Sequence, residues 1–320
     1  MTSQLDALKA LSLVVADTGD LDAIRRYQPH DATTNPSLIL KAFGLPAYRP
    51  LIDEIVAEAK AASHDRQAQI DRTVDRLAVA MGSEIAGLVP GRVSTEVAAT
   101  LSFDTQGSIR KAHELIEMYA ERGISSDSVL IKLASTWEGI RAAEVLEKKG
   151  IQCNLTLLFS HAQAQACFDA GVFLISPFVG RVTDWHTAKT GQTFTAHNDP
   201  GVQFVKAVCE RADRGGYDTV VMGASFRNIG QVLALAGCHR LTISPALLEA
   251  LDARDEPIKR QVAFTDRRDK KPLALGEGEF RWQHNQDAMA NDKLAEGIRR
   301  FADDQACLEK LLADRLAANR

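Results

Sequence analysis

Cysteine is sparse in this 320-residue chain. Its five copies, Cys153, Cys167, Cys209, Cys238 and Cys307, form no C-x-x-C pair. Their odd number and wide spacing indicate neither a disulfide framework nor a zinc ribbon. The eight histidines show no H-E-x-x-H or comparable ligand spacing, so no metal is expected. Positive charge is not in excess: 38 Lys and Arg against 42 Asp and Glu leave a formal net charge of -4, which lends no support to a nucleic-acid or membrane-surface binder. No apolar stretch approaches the roughly 20 residues that cross a bilayer. The N-terminus carries Asp6 and no basic patch before an apolar run, unlike a signal peptide. Phosphate-cradling glycine loops are missing too, with neither a P-loop nor G-x-G-x-x-G. No internal repeat, low-complexity tract or Pro/Gly-rich linker interrupts the chain, so residues 1–320 are expected to form one domain. What is left is an ordinary globular composition, 45% apolar and 25% charged, and the expectation of a reduced, cytoplasmic protein.

Strand-length apolar runs recur with helical patterns between them. Eight are readable: Leu13–Thr18, Asp31–Asn35, Arg92–Ala98, Val129–Ser135, Ile151–Phe159, Val172–Val179, Thr219–Ser225 and Leu241–Ser244. Several are nearly continuous apolar runs, as parallel strands covered on both faces should be. Asn35-Pro36 reads as a helix start, with Asn as N-cap and Pro at the first helical position. Gly123, Gly150, Gly171 and Gly216 each stand shortly before a strand. The alternation predicts a (β/α)8 TIM barrel; a doubly wound open sheet competes, and strand counting alone does not separate them. Residues 36–91 are long for one crossover and should hold more than one helix. Residues 280–320 read as a C-terminal helical tail with Leu294, Ile298, Phe301, Leu308 and Leu312 as its apolar stripe. Asp252–Lys271 is the most polar segment and reads as a surface excursion.

Side chains two apart on a strand share a face. Lys132 lies opposite the apolar set Val129, Ile131 and Leu133; Asn154 and Thr156 lie opposite Leu155 and Leu157. Ser176 and Phe178 share a face, as do Ser94 and Glu96, and Asp31, Thr33 and Asn35, while Asp17 closes the first strand. In a barrel these sets point inward, toward the carboxyl ends where barrel active sites sit. Each residue also has a plain structural reading. A lone strand lysine can snorkel outward, Asn35 can serve only as a cap, Asp17 can be a turn residue, and the hydroxyls can be satisfied core groups. Joint occurrence favours a site, because burying all of them without a use is costly.

The chemistry this set supports is specific. An amine held in a low-dielectric interior loses its proton more readily and can attack a ketone carbonyl. Schiff-base formation needs proton transfers, which Glu96 and a water held by Thr156 can supply, and carbon–carbon cleavage needs a base at the departing hydroxyl, a role for Asp17. The iminium is itself the electron sink, so no metal or other cofactor is required. Arg181 and Arg227 follow strand ends six and seven. Singly each reads as a surface arginine; together, with Ser225, they suit the fork geometry that holds phosphate.

These residues resemble the transaldolases. Asp31-Ala32-Thr33-Thr34-Asn35-Pro36-Ser37-Leu38-Ile39 and Val129-Leu130-Ile131-Lys132-Leu133-Ala134-Ser135-Thr136-Trp137-Glu138-Gly139-Ile140 look like that family's two signature segments. Val14–Asp20, Pro90–Glu96, Asn154–Ser160, Leu174–Arg181, Val220–Asn228 and Arg281–Phe301 are similar to family sequence as well. The resemblance implies a Schiff-base lysine at Lys132, an acid/base at Asp17, and a catalytic water handled by Glu96 and Thr156. It further implies that Thr33, Asn35, Asn154 and Ser176 bind sugar hydroxyls and that Arg181, Ser225 and Arg227 hold phosphate. Phe178 fits the transferases, where related aldolases tend to carry Tyr. The implied reaction moves a dihydroxyacetone unit from sedoheptulose 7-phosphate to glyceraldehyde 3-phosphate, in the pentose phosphate pathway. The alternatives are a fructose 6-phosphate aldolase and a non-catalytic sugar-phosphate-binding barrel. The expected partners are small sugar phosphates, with a homodimer as the family's common assembly. His161 and the segments Thr183–Pro200 and Asp252–Gly278 depart from the family pattern.

Overall fold

In a computed structural model, which describes residues 2–62, 66–265 and 268–318, the eight expected strands close into one parallel barrel. They are β1 (Leu13–Asp17), β2 (Asp31–Thr33), β3 (Val93–Glu96), β4 (Val129–Ala134), β5 (Cys153–Leu158), β6 (Leu174–Pro177), β7 (Val220–Gly223) and β8 (Arg240–Ile243). Each pairs with its sequence neighbours, and β8 returns to β1. Closure settles the choice between barrel and open sheet, and it removes every edge.

Local chemistry explains why the connections work. Asn35 caps the helix Pro36–Phe43 by accepting from the Leu38 amide at 3.0 Å, with Pro36 at the first position. Thr136 caps the helix Trp137–Lys148 in the same way. The turns into β4, β5, β6 and β7 use Gly123, Gly150, Gly171 and Gly216 at positive φ, between 58° and 81°, where a Cβ would be strained. Among the described residues, positions 36–91 hold three α-helices, Pro36–Phe43, Arg49–Ala62 and Arg66–Ala86. The expected tail is the pair Glu277–Gln286 and Ala288–Ala318; its last two positions lie outside the described residues. Among its described residues, Asp252–Lys271 shows no regular structure after the helix Pro245–Asp252, and Val262 alone is buried. In the helix Trp137–Lys148, Ile140, Ala143 and Leu146 are buried, whereas Val145 faces outward, 37% exposed.

The barrel interior has layers of different character. Val15, Leu130, Leu174 and Met222 form an apolar layer, each such side chain contributing about 1.5–3 kcal/mol by burial. Above it, toward the carboxyl ends, the inward side chains turn polar. A separate apolar cluster then roofs part of the mouth: Leu157, Phe159 and Phe178 from the barrel against Met289, Leu294 and Phe301 of the long helix.

Candidate active site

Parallel register brings the central groups together. Glu96 of β3 pairs with Lys132 of β4, which pairs with Asn154 of β5, so the three stand in one row on the interior face. The Lys132 ammonium lies 2.9 Å from the Glu96 carboxylate and donates to the Thr34 carbonyl at 3.1 Å. Asn154 ties the row to its neighbours: its amide donates to Ser94 at 3.1 Å and accepts from the Ser176 hydroxyl at 2.6 Å. On the far side, Thr33 donates to Asp17 at 3.0 Å and lies 2.9 Å from the Thr242 hydroxyl. Thr156 is fully buried, and its hydroxyl has no hydrogen-bond partner among the described residues. A buried polar atom left in that condition is what a group awaiting substrate or water would show.

Burial dominates the electrostatics. It raises the pKa of both Asp17 and Glu96 above the ordinary carboxylate value, with the Lys132 charge as the main opposing influence on each. Arg181 is held below its ordinary value by burial and by the neighbouring guanidiniums of Arg300 and Arg227. Three guanidiniums gathered in this way repel one another until an anion lies between them. Arg227 grips Asp184 through Nη2 at 2.7 Å and Nε at 3.1 Å, leaving Nη1 beside the Ser225 hydroxyl at 3.4 Å. Ser225 itself stands at φ 64°, a left-handed backbone in a residue other than glycine, the kind of strain that gathers at functional sites.

Most of these groups face a cavity of about 390 Å³ at the carboxyl end of the barrel, a size suited to a small polar ligand. Asp17, Thr33, Asn35, Lys132, Asn154, Thr156, Ser176, Phe178, Arg181, Ser225 and Arg227 all line it. Glu96 sits just behind, against Lys132, and borders a separate cavity of about 10 Å³ with Ala98, Ser102 and Phe301. Asp31 does not join the pocket; at the start of β2 it pairs with Arg240. Sequence reasoning missed Lys41, Thr242, Ser244 and Arg300, which also line the cavity. Thr242 and Ser244 carried the usable signal, since they alternate with Leu241 and Ile243.

Fold and pocket together define an enzyme of the (β/α)8-barrel class, its polar groups gathered where the strands end. The family model described as Transaldolase/Fructose-6-phosphate aldolase matches residues 14–312. A transaldolase from Chromohalobacter salexigens is 68% identical over 314 residues, covering 98% of this chain and 99% of that protein. Transaldolases from Aliivibrio salmonicida and Aeromonas salmonicida are each 58% identical over 316 residues, covering 99% of this chain and all of theirs. The chain belongs to the transaldolase/fructose-6-phosphate aldolase family. No helix among the described residues is long and apolar enough to cross a membrane.

Proposed function

We propose that the protein is a cytoplasmic transaldolase, one barrel domain that moves a dihydroxyacetone unit from sedoheptulose 7-phosphate to glyceraldehyde 3-phosphate through a Schiff base on Lys132. The observation that carries this reading is the buried Lys132–Glu96 pair, 2.9 Å apart, at the base of a cavity whose mouth is lined by arginines. Proton transfer from the ammonium to Glu96 frees the amine to attack the ketose C2 carbonyl, and the carbinolamine then loses water. Glu96 returns the proton to that leaving hydroxyl, with Thr156 holding the water. Asp17 takes the proton of the C4 hydroxyl as the C3–C4 bond breaks; its raised pKa keeps it a competent base that can give the proton back when the acceptor aldehyde adds. Thr33, Asn35, Asn154 and Ser176 bind hydroxyls, while Arg181, Ser225 and Arg227 hold the phosphate end. The substrates are small sugar phosphates, and no metal or cofactor takes part.

Borohydride reduction in the presence of fructose 6-phosphate tests this directly: mass spectrometry should find a stable adduct of the three-carbon unit on Lys132. An unmodified Lys132, or an adduct on another lysine, would overturn the mechanism. The aldolase alternative is separated by omitting the acceptor aldehyde. A transferase stalls on its bound dihydroxyacetone unit, whereas an aldolase releases free dihydroxyacetone at full rate; Phe178 in the pocket is the residue that favours the transferase.

A further inference from the structure

We propose that Ser37 and Asp304 form a latch that positions Arg300 and Phe301 over the substrate's phosphate end; the inference rests on the sugar-phosphate reading of the same pocket. Ser37 stands at the second position of the helix Pro36–Phe43, two residues past the Asn35 cap, and its hydroxyl donates to the Asp304 carboxylate of the helix Ala288–Ala318. Arg300 and Phe301 lie four and three residues before Asp304, hence on the same helix face, directly above it. Both line the cavity, as does Ser37. The Phe301 ring reaches both ends of the site: its centroid is 5.9 Å from Lys132 Nζ and 5.5 Å from the Arg181 guanidinium.

The helix is seated closely enough for its rotation to matter. At Gly297 a Cβ would stand 2.7 Å from a Leu157 methyl and 3.2 Å from Arg181 Nη1. Leu157 meets it from a backbone at φ 53°, where the β5–β6 register shifts. A small turn of the helix about its axis would therefore move Arg300 off the phosphate end and press on Arg181. Polar contacts farther along the helix, Trp185–Asp292 and Arg315–Asp53, are exposed and add little, while the buried Met289, Leu294, Leu308 and Leu312 seat the helix on the core by non-directional apolar packing. Ser37–Asp304 is the polar contact that sets the rotation at the cavity itself.

The test is a double-mutant cycle of Ser37→Ala and Asp304→Ala, read with a phosphorylated acceptor, glyceraldehyde 3-phosphate, and with glyceraldehyde. Each single change should raise KM for the phosphorylated acceptor about tenfold while kcat and the glyceraldehyde KM stay within about twofold. The double variant should be no worse than either single, and Asp304→Asn, which keeps an acceptor oxygen, should restore most of the loss. Hydrogen exchange across residues 297–304 should rise in Ser37→Ala. Losses that add in full, losses equal for both acceptors, or unchanged exchange would each overturn the latch. If Asp304→Ala does not fold, Ser37→Ala with the exchange readout decides alone. A wild-type protein that turned over no sugar phosphate would instead refute the transaldolase reading, and the exchange comparison would still report on the latch.

Discussion

The two ends of the barrel bury charge in opposite ways. At the amino end, Arg240 of β8 pairs with Asp31 of β2, both nearly inaccessible. Asp31 also accepts from the Arg92 amide at 2.9 Å and contacts His30 at 2.7 Å, and the guanidiniums of Arg92 and Arg240 lie over the Phe173 ring, 4.8 and 5.6 Å from its centroid. At the carboxyl end, Lys132, Asp17 and the three arginines line an open cavity with Glu96 just behind Lys132, and the Thr156 hydroxyl stays unpartnered among the described residues. At the amino end the charged pair is closed on itself. At the carboxyl end Lys132 pairs with Glu96 and Arg227 with Asp184, yet Lys132, Asp17 and the arginines also face the cavity, and burial there raises both carboxylate pKa values.

This contrast can be broken by substitution. The largest effect is expected from Lys132→Met, which should lower kcat by on the order of 10⁴ or more, as removal of a nucleophile does, in steady-state assays of protein that melts normally. Next comes the closed end: Arg240→Met should cost about 3–5 kcal/mol of unfolding free energy by stranding Asp31, measured by denaturant titration, with KM unchanged. The double change Arg240→Met/Asp31→Asn should recover much of that loss. Third, Arg181→Ala should raise KM for phosphorylated substrates by about 30-fold, as loss of a charged hydrogen-bonding partner does, and leave unphosphorylated ones nearly unaffected; equal losses would refute a phosphate clamp.

The smallest effect concerns pH. A carboxylate whose folded pKa is raised holds its proton more tightly in the native state, so its contribution favours the fold below about pH 4 and is lost as pH rises through the folded value. Asp17 and Glu96 therefore weaken the fold at neutral pH. Asp17→Asn should raise Tm at pH 7 and not below pH 4, while its activity falls. In the wild type, kcat/KM should decline on the acid side with an apparent pKa above the ordinary carboxylate range of about 4. A decline only near that ordinary value would contradict the burial argument.

Legibility from sequence follows the same division. Strands were readable because apolar runs of strand length recur, and the inward polar set because alternation assigns Lys132, Asn154, Thr156 and Ser176 to one face. Register was not: nothing in the residues sets Glu96 beside Lys132 and Asn154, which depends on how closed strands slide past one another. Arg240 escaped because a charge at the head of a strand reads as a boundary, so β8 was expected from Leu241. Lys41 and Arg300 escaped for a related reason. On amphipathic helices a cation reads as part of the wet face, and only docking over the mouth turns that face toward the pocket.

The contact between Ser37 and Asp304 spans 267 positions of chain. Closing a flexible loop of that length carries an entropic cost of roughly 5 kcal/mol before any constant term. A single hydrogen bond cannot offset this, so the contact forms only after barrel closure has already brought its two helices near. Assembly of the pocket's outer wall is thus a late folding event, and refolding monitored by catalytic turnover should lag behind refolding monitored by backbone circular dichroism.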